Sequence, residues 1–391
     1  MSTSNLPLAD SPWGVIDPSP MCYRNLPPQA LASELRHLSA ARTIGTTHCV
    51  TFQPCLEAIN QDRYDVQEWD LPSGKWTFAA VFDGHAGVKT VEHVVEVLPR
   101  LIRTSLTSAL TPDNGSILDD LLGLFPDGSD AIDRLSDSEI NSIINDFDSG
   151  GTNHTKVLRC MQGSTVLMSL VDSEGLNLWV CSLGDCQAVL GTKNSSGACT
   201  STLLSSNHNG HNKEEVMRIR QEHPEDERDK CVLDDRVFGV LAVTRAIGDY
   251  CFKLPASYTE RIFLKANPGF SHPDAVREFL SRNLTPPYIS NQADVRHVDL
   301  TLREQKEHFL IMCSDGFVDL YMYDETRAGS LEYIAARWVS LVNLESDEQN
   351  EALRLLRDAI GGEDEDKVAR NLTRRALVRW IDDTTVLVVR L

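Results

Sequence analysis

The sequence predicts an α+β chain. Three observations carry this: apolar runs of strand length that stop at Asp-Gly, a hairpin-like pair of such runs at the centre, and amphipathic stretches of helical spacing around them. The 391 residues suffice for one large sandwich or two smaller units, and 41% hydrophobic residues provide a core. Lys plus Arg number 37 against 57 Asp plus Glu, a formal charge of −20. So acidic a surface repels nucleic acid and anionic membranes and suits divalent cations. No run approaches the length of a membrane span, and the N-terminus lacks a signal-peptide core. The ten cysteines form no CxxC pair, and Cys181 and Cys313 sit in apolar runs as small hydrophobes. That usage implies a reducing compartment. Arg24, Arg36 and Arg42 are offset by Asp10, Asp17 and Glu34, which is unlike a transit peptide. A cytoplasmic protein is expected, with mitochondrial import as the alternative.

In chain order, residues 1–29 are rich in Ser and Pro and predict irregular structure, and a short amphipathic helix follows near 30–41. A first strand is expected over 46–52, then a polar loop with Glu57, Asn60, Gln61, Asp62 and Arg63. Residues 76–82 form the central buried strand, and 88–110 a helix, with Val91, Val94, Val95, Leu98, Leu101 and Ile102 at helical spacing. The acidic stretch 111–155 predicts a solvated helical excursion. Strands at 164–171 and 176–183 flank Asp172-Ser173-Glu174-Gly175, a hairpin signal, and the chain resumes as a strand at 186–190. A helix is expected at 213–220, then a long irregular insertion at 253–298 containing Pro268, Pro273, Pro286 and Pro287. A buried strand at 309–313, helices near 348–359 and 368–379, and a strand at 385–389 complete the chain.

The strand ends carry the chemistry. Asp83, Asp185 and Asp315 each follow an apolar strand, and Asp382 precedes one. In an antiparallel sheet the end of one strand lies beside the start of its neighbour, so four carboxylates can gather at one rim. Each alone is an ordinary turn or cap residue. Together, with Asp319 four residues after Asp315, they form a cluster that hard cations would neutralise, and all-oxygen ligation favours Mg²⁺ or Mn²⁺ over Zn²⁺. Gly84 lets the backbone approach a ligand of Asp83, and His85 adds a group that moves protons near neutral pH. His208 and His211 lack cysteine partners and read as polar-loop histidines.

Six motifs in order resemble the metal-dependent type 2C protein serine/threonine phosphatases. They are Phe82-Asp83-Gly84-His85-Ala86-Gly87, Gly163-Ser164-Thr165, Ser182-Leu183-Gly184-Asp185, Leu241 to Asp249 (LAVTRAIGD), Ser314-Asp315-Gly316-Phe317-Val318-Asp319 and Asp382-Asp383-Thr384-Thr385. The DGHAG form and Thr285-Pro286-Pro287-Tyr288 resemble the pyruvate dehydrogenase phosphatase branch. The resemblance implies a four-layer α-β-β-α sandwich of two antiparallel sheets flanked by helices. It covers residues 44–391, with insertions near 111–155 and 253–298, after an irregular N-terminal segment at 1–43. Carried over, Asp83 bridges two Mg²⁺ or Mn²⁺ ions, the Gly84 carbonyl joins one, and Asp315 and Asp382 hold the other. Asp185 and Asp319 match positions associated with a weaker third ion. The resemblance further implies hydrolysis of phosphoserine and phosphothreonine on proteins by a metal-bridging water, with His85 protonating the leaving oxygen and a catalytic place for Asp62. The expected protein is a monomer whose partner is its phosphoprotein substrate.

Three positions depart from the family pattern. Gln61-Asp62 stands where Glu-Asp is usual, Glu57 where many members have a phosphate-gripping Arg, and Asp383 where Asn is usual. Two function classes follow: an active phosphatase, favoured by the intact ligand set, and a pseudophosphatase that binds phosphoprotein or regulatory partners, favoured by Glu57 and Gln61.

Overall fold

The computed structural model describes residues 23–55, 58–107, 117–125, 129–301, 307–322, 324, 327–374 and 379–391. They divide into two units, one from Gln61–Ala188 and Leu204–Glu304, the other from Met1–Asn60, Val189–Leu203 and Gln305–Leu391.

The first unit is built on a five-stranded sheet in the order Asp294–Asp299, Asn177–Leu183, Val166–Val171, Gly74–Phe82, Arg63–Leu71. Every neighbouring pair is antiparallel. The expected hairpin forms, with its register running from Val166↔Leu183 to Val171↔Leu178. Its turn is closed by the Asp172 carboxylate, which accepts from the backbone N–H groups of Leu176 and Asn177. Alternate residues Phe78, Ala80 and Phe82 of the central strand pack under Val91 and Val94 of the helix Lys89–Thr107. The strand Arg63–Leu71 lies where the sequence reading had no strand. Its residues are polar or half-buried apart from Trp69, so it lacks an apolar run.

A second core of this unit corrects two expectations. The stretch 111–155 is more than a solvated excursion. Its helices Ile117–Leu122 and Asp137–Ile144 bury Ile117, Leu121, Ile140 and Ile144 in a cluster with Phe238, Phe252, Phe279 and Tyr288. Nor is 253–298 irregular throughout, since it contains the helices Ala256–Arg261 and Pro273–Leu280 and most of the edge strand Asp294–Asp299. Each of these helices is short and buries only a few residues, too few for a periodic signal.

The second unit holds a six-stranded sheet in the order Arg42–Ile44, Thr47–Phe52, Thr384–Arg390, Glu307–Cys313, Gln187–Lys193, Cys199–Leu203. The helices Asp315–Met322, Leu331–Val342, Glu351–Ile360 and Glu365–Thr373 bury Phe317, Trp338, Leu355, Leu356 and Val368 in one cluster with Val50, Ile311 and Val388 of the strands. Leu31 and Leu35 of the N-terminal helix Pro28–Leu38 join it. Side-chain caps start three of these helices: Ser330 accepts from Tyr333 N, Asn350 from Leu353 N and Asp364 from Lys367 N. Among the described residues, no helix is long and apolar enough to cross a membrane, and none of the nine cysteines is in a disulfide.

Candidate functional site

Asp83 leaves the central strand at Phe82 and enters the two-residue strand Gly84–His85. That strand pairs with Gly163–Ser164, which pairs with Ile247–Gly248. Three motifs distant in sequence therefore share one small sheet. Thr165 holds Asp83 by its backbone: Thr165 N donates to Asp83 O at 2.9 Å, and the Thr165 hydroxyl accepts from Asp83 N at 3.3 Å. Gly84 has no room for a side chain, because a Cβ there would lie 2.7 Å from the Gln61 carbonyl oxygen and 2.8 Å from Val91. The Gln61 side chain ties down the segment after His85, its Oε1 accepting from Gly87 N at 2.5 Å. Asp62 is 3% exposed and precedes Arg63, which pairs with Phe82, so it lies at the same sheet end as Asp83.

Asp185 follows the strand Asn177–Leu183 by one residue beyond Gly184, and its carboxylate lies with that of Asp83 within 4.8 Å, oxygen to oxygen. The Gly184 turn is braced by His208, which is buried and not the polar-loop residue that the sequence suggested. His208 N donates to Gly184 O at 2.9 Å, Nδ1 accepts from Gly184 N at 3.2 Å, and Nε2 faces Asp294 Oδ2 at 3.1 Å. Burial, aided by the charge of Arg245, holds its pKa below the usual histidine value. His211 is exposed and pairs with Asp235 at 3.2 Å.

The second unit carries its own acid pair. Asp315 opens the helix Asp315–Met322 directly beyond the strand Glu307–Cys313, and Asp319 lies one turn further on. Asp382 precedes the strand Thr384–Arg390, whose register with Glu307–Cys313 runs from Phe309↔Arg390 to Cys313↔Val386. The strand end and the strand start thus share an edge, as the antiparallel argument expects. Burial first, and the charge of Asp315 second, push the Asp382 carboxyl up to about 7. Arg379 opposes this, with Nη2 2.5 Å from Asp382 Oδ1 and 2.7 Å from Asp383 Oδ2. Asp383, 2% exposed, also accepts from Gln53 Nε2 at 2.7 Å, so the charge it adds over the usual Asn has two partners. Glu57 lies outside the described residues.

Two features escaped the sequence reading. Glu215, on the helix Lys213–Glu222, accepts from Arg245 at 2.6 and 3.0 Å, from Arg218 at 2.9 and 3.1 Å, and from the Thr244 hydroxyl at 2.6 Å. Burial would raise its pKa, yet these partners hold it well below the usual carboxylate range. Arg245 also reaches Asp294 at 3.1 Å, which fixes the LAVTRAIGD segment against the sheet edge. The other feature is Asp249, whose Oδ2 lies 2.6 Å from His85 Nε2. The strand-end rule applied to Ile247-Gly248-Asp249 would have singled it out.

Comparison with known proteins adds a family. The protein phosphatase 2C profile matches residues 60–368, which run through both units. A protein phosphatase 2C homolog of Schizosaccharomyces pombe is 25% identical over 373 residues, covering 86% of this chain and 77% of that protein. The human mitochondrial [pyruvate dehydrogenase [acetyl-transferring]]-phosphatase 2 is 31% identical over 258 residues, 58% of this chain. The match spans about half of that relative, 47% of its length. A crystal structure of the serine-threonine phosphatase 2C from Toxoplasma gondii aligns over 95% of this chain and 99% of its own, at 18% identity and a TM-score of 0.49. With its family profile matched over most of its length, the chain belongs to the protein phosphatase 2C family of metal-dependent protein phosphatases.

Proposed function

We propose that this chain is a monomeric, cytoplasmic protein phosphatase that hydrolyses phosphoserine and phosphothreonine with the help of two Mg²⁺ or Mn²⁺ ions. The observation that carries the reading is the gathering of strand-end carboxylates: Asp83 and Asp185 have oxygens within 4.8 Å of each other, and the antiparallel register sets Asp315 and Asp382 at one strand edge. Burial and the charge of Asp315 also push the Asp382 carboxyl up, so a bound cation would favour its charged form. The donors fit a hard divalent ion: all are carboxylate or carbonyl oxygens. In this reading Asp83, the Gly84 carbonyl, Asp315 and Asp382 hold the two ions, and Asp185 and Asp319 serve a weaker third.

Bound ions would acidify the attacking water and offset the phosphoryl charge. The chain's own residues do the rest. Asp62, buried at the same sheet end as Asp83, takes a catalytic place beside it, and His85 protonates the seryl or threonyl oxygen as it departs. Thr165 and Gln61 keep the Asp83–Gly87 segment in place through its backbone. The mitochondrial relatives make the mitochondrion the second candidate location.

The test is phosphate release from phosphoserine and phosphothreonine peptides by the purified chain, with Mn²⁺ or with EDTA. Turnover that requires the metal supports the reading. Metal binding without turnover would make the chain a phosphoprotein-binding member of its family instead.

A further inference from the structure

We propose that Asp249 is the positioning residue for His85: its carboxylate accepts from Nε2–H and leaves Nδ1 to exchange the proton with the leaving oxygen. The inference rests on the phosphatase reading of His85 and adds to it an orientation and a partner. His85 Nε2 and Asp249 Oδ2 are 2.6 Å apart, a charge-assisted distance. Asp249 is 3% exposed, whereas the His85 side chain is 27% exposed, so the acid is the fixed member and the imidazole the accessible one.

The backbone is built to bring these two groups together. His85 and Gly248 both stand opposite Gly163 in the small sheet, in the registers His85↔Gly163 and Gly248↔Gly163. A Cβ at Gly163 would fall inside the van der Waals space of both Asp249 Oδ2 and His85 Nε2, so the pair closes over a bare glycine. Asp249 itself takes a left-handed conformation, φ 52°, which Asp and Asn tolerate better than most residues. Its N–H donates to Gln162 O at 3.0 Å, and its carbonyl accepts from Phe252 N at 3.0 Å. Backbone bonds on both sides thus hold the carboxylate towards the ring.

The chemical consequence follows from the two ring nitrogens. Water attacks phosphorus and the bond from phosphorus to the seryl oxygen breaks. The Nδ1 proton passes to that oxygen, and the ring becomes neutral with its hydrogen on Nε2, still donated to Asp249. The proton given up by the attacking water, carried through solvent, then restores Nδ1, so that ester and water leave as alcohol and phosphate.

Two variants test this in the full chain with Mg²⁺ present. Asp249→Gly removes the carboxylate and suits the positive φ, while Asp249→Asn keeps an acceptor oxygen and covers the case in which Asp249→Gly does not fold. For Asp249→Gly we expect kcat on a phosphoseryl peptide to fall about 10- to 100-fold with KM unchanged, and kcat on an aryl phosphate to fall much less. Asp249→Asn should recover part of the loss, and the double variant with His85→Gln should be no slower than His85→Gln alone. ¹⁵N-histidine NMR, with His85 identified by its loss in His85→Gln, should find the neutral ring protonated on Nε2. Equal losses on both substrates, losses that multiply in the double variant, or a neutral ring protonated on Nδ1 would each overturn the proposal. If His85→Gln itself slows both substrates alike, the general-acid reading fails, and the NMR result alone then decides whether Asp249 holds Nε2.

Discussion

Asp83 and the turn before Asp185 are held by backbone hydrogen bonds, whereas the Asp382 carboxyl is pushed up by burial and by the charge of Asp315. In the first pair Thr165 holds Asp83 by its main chain, and His208 braces the turn before Asp185 through the Gly184 backbone. In the second pair Asp382 is raised to about 7 by burial and Asp315, with Arg379 as the compensating cation. The difference teaches where each pair is sensitive. Backbone bracing fixes where the first pair sits, while in the second pair burial and charge also make Asp382 sensitive to protons.

The largest effect should come from removing a ligand from either pair. Asp83→Asn and Asp315→Asn should each lower phosphopeptide turnover on the order of 10³-fold with folding intact. Near wild-type rates in either variant with saturating metal would break the claim that both pairs serve catalysis. Next in size, His85→Gln should slow a phosphoseryl peptide about 10²-fold and an aryl phosphate only a few-fold, because a phenolate leaves without a proton.

The comparison is sharpened by pH. Asp382 has a folded value raised above the usual carboxylate value of 3.8, so the folded chain holds this proton while the unfolded chain has lost it. Its contribution to stability is therefore full at low pH and is lost as pH rises from about 4 to about 7. Across that window the melting temperature of the metal-free chain should carry a downward component of roughly 2–5 °C. Asp382→Asn should remove that component and Asp83→Asn should retain it. An identical pH profile in Asp382→Asn and wild type would mean that the second pair is not governed by charge. The smallest change is expected of Arg379→Gln, which should extend the same decline to higher pH by removing the cation beside Asp382. No extension would mean that Arg379 serves Asp383 alone.

The strand-end acids were legible because each follows or precedes an apolar run, a local pattern, and the antiparallel register then brings Asp315 and Asp382 to one edge. Gly84 was legible as a point of close backbone approach, and a Cβ there would meet the Gln61 carbonyl oxygen and Val91. The Glu215 network was not, since its arginine partner Arg245 and the shared Asp294 come from separate elements whose meeting no local pattern encodes. His208 was misread because its neighbours are polar in sequence, while its burial comes from the Gly184 turn folding over it. The strand Arg63–Leu71 went unseen because one fully buried residue, Trp69, makes no alternation. In the second unit, Leu331–Val342 is a helix that the reading had not assigned, although Ser330 caps it and Trp338 anchors it in the core.

The most direct test follows metal binding and turnover on the same samples. Melting temperature and phosphate release from a phosphothreonine peptide would be measured across a Mn²⁺ titration of the purified chain. The account predicts that stabilisation and turnover rise together and are both reversed by EDTA. Stabilisation by Mn²⁺ with no turnover, or turnover indifferent to EDTA, would contradict it.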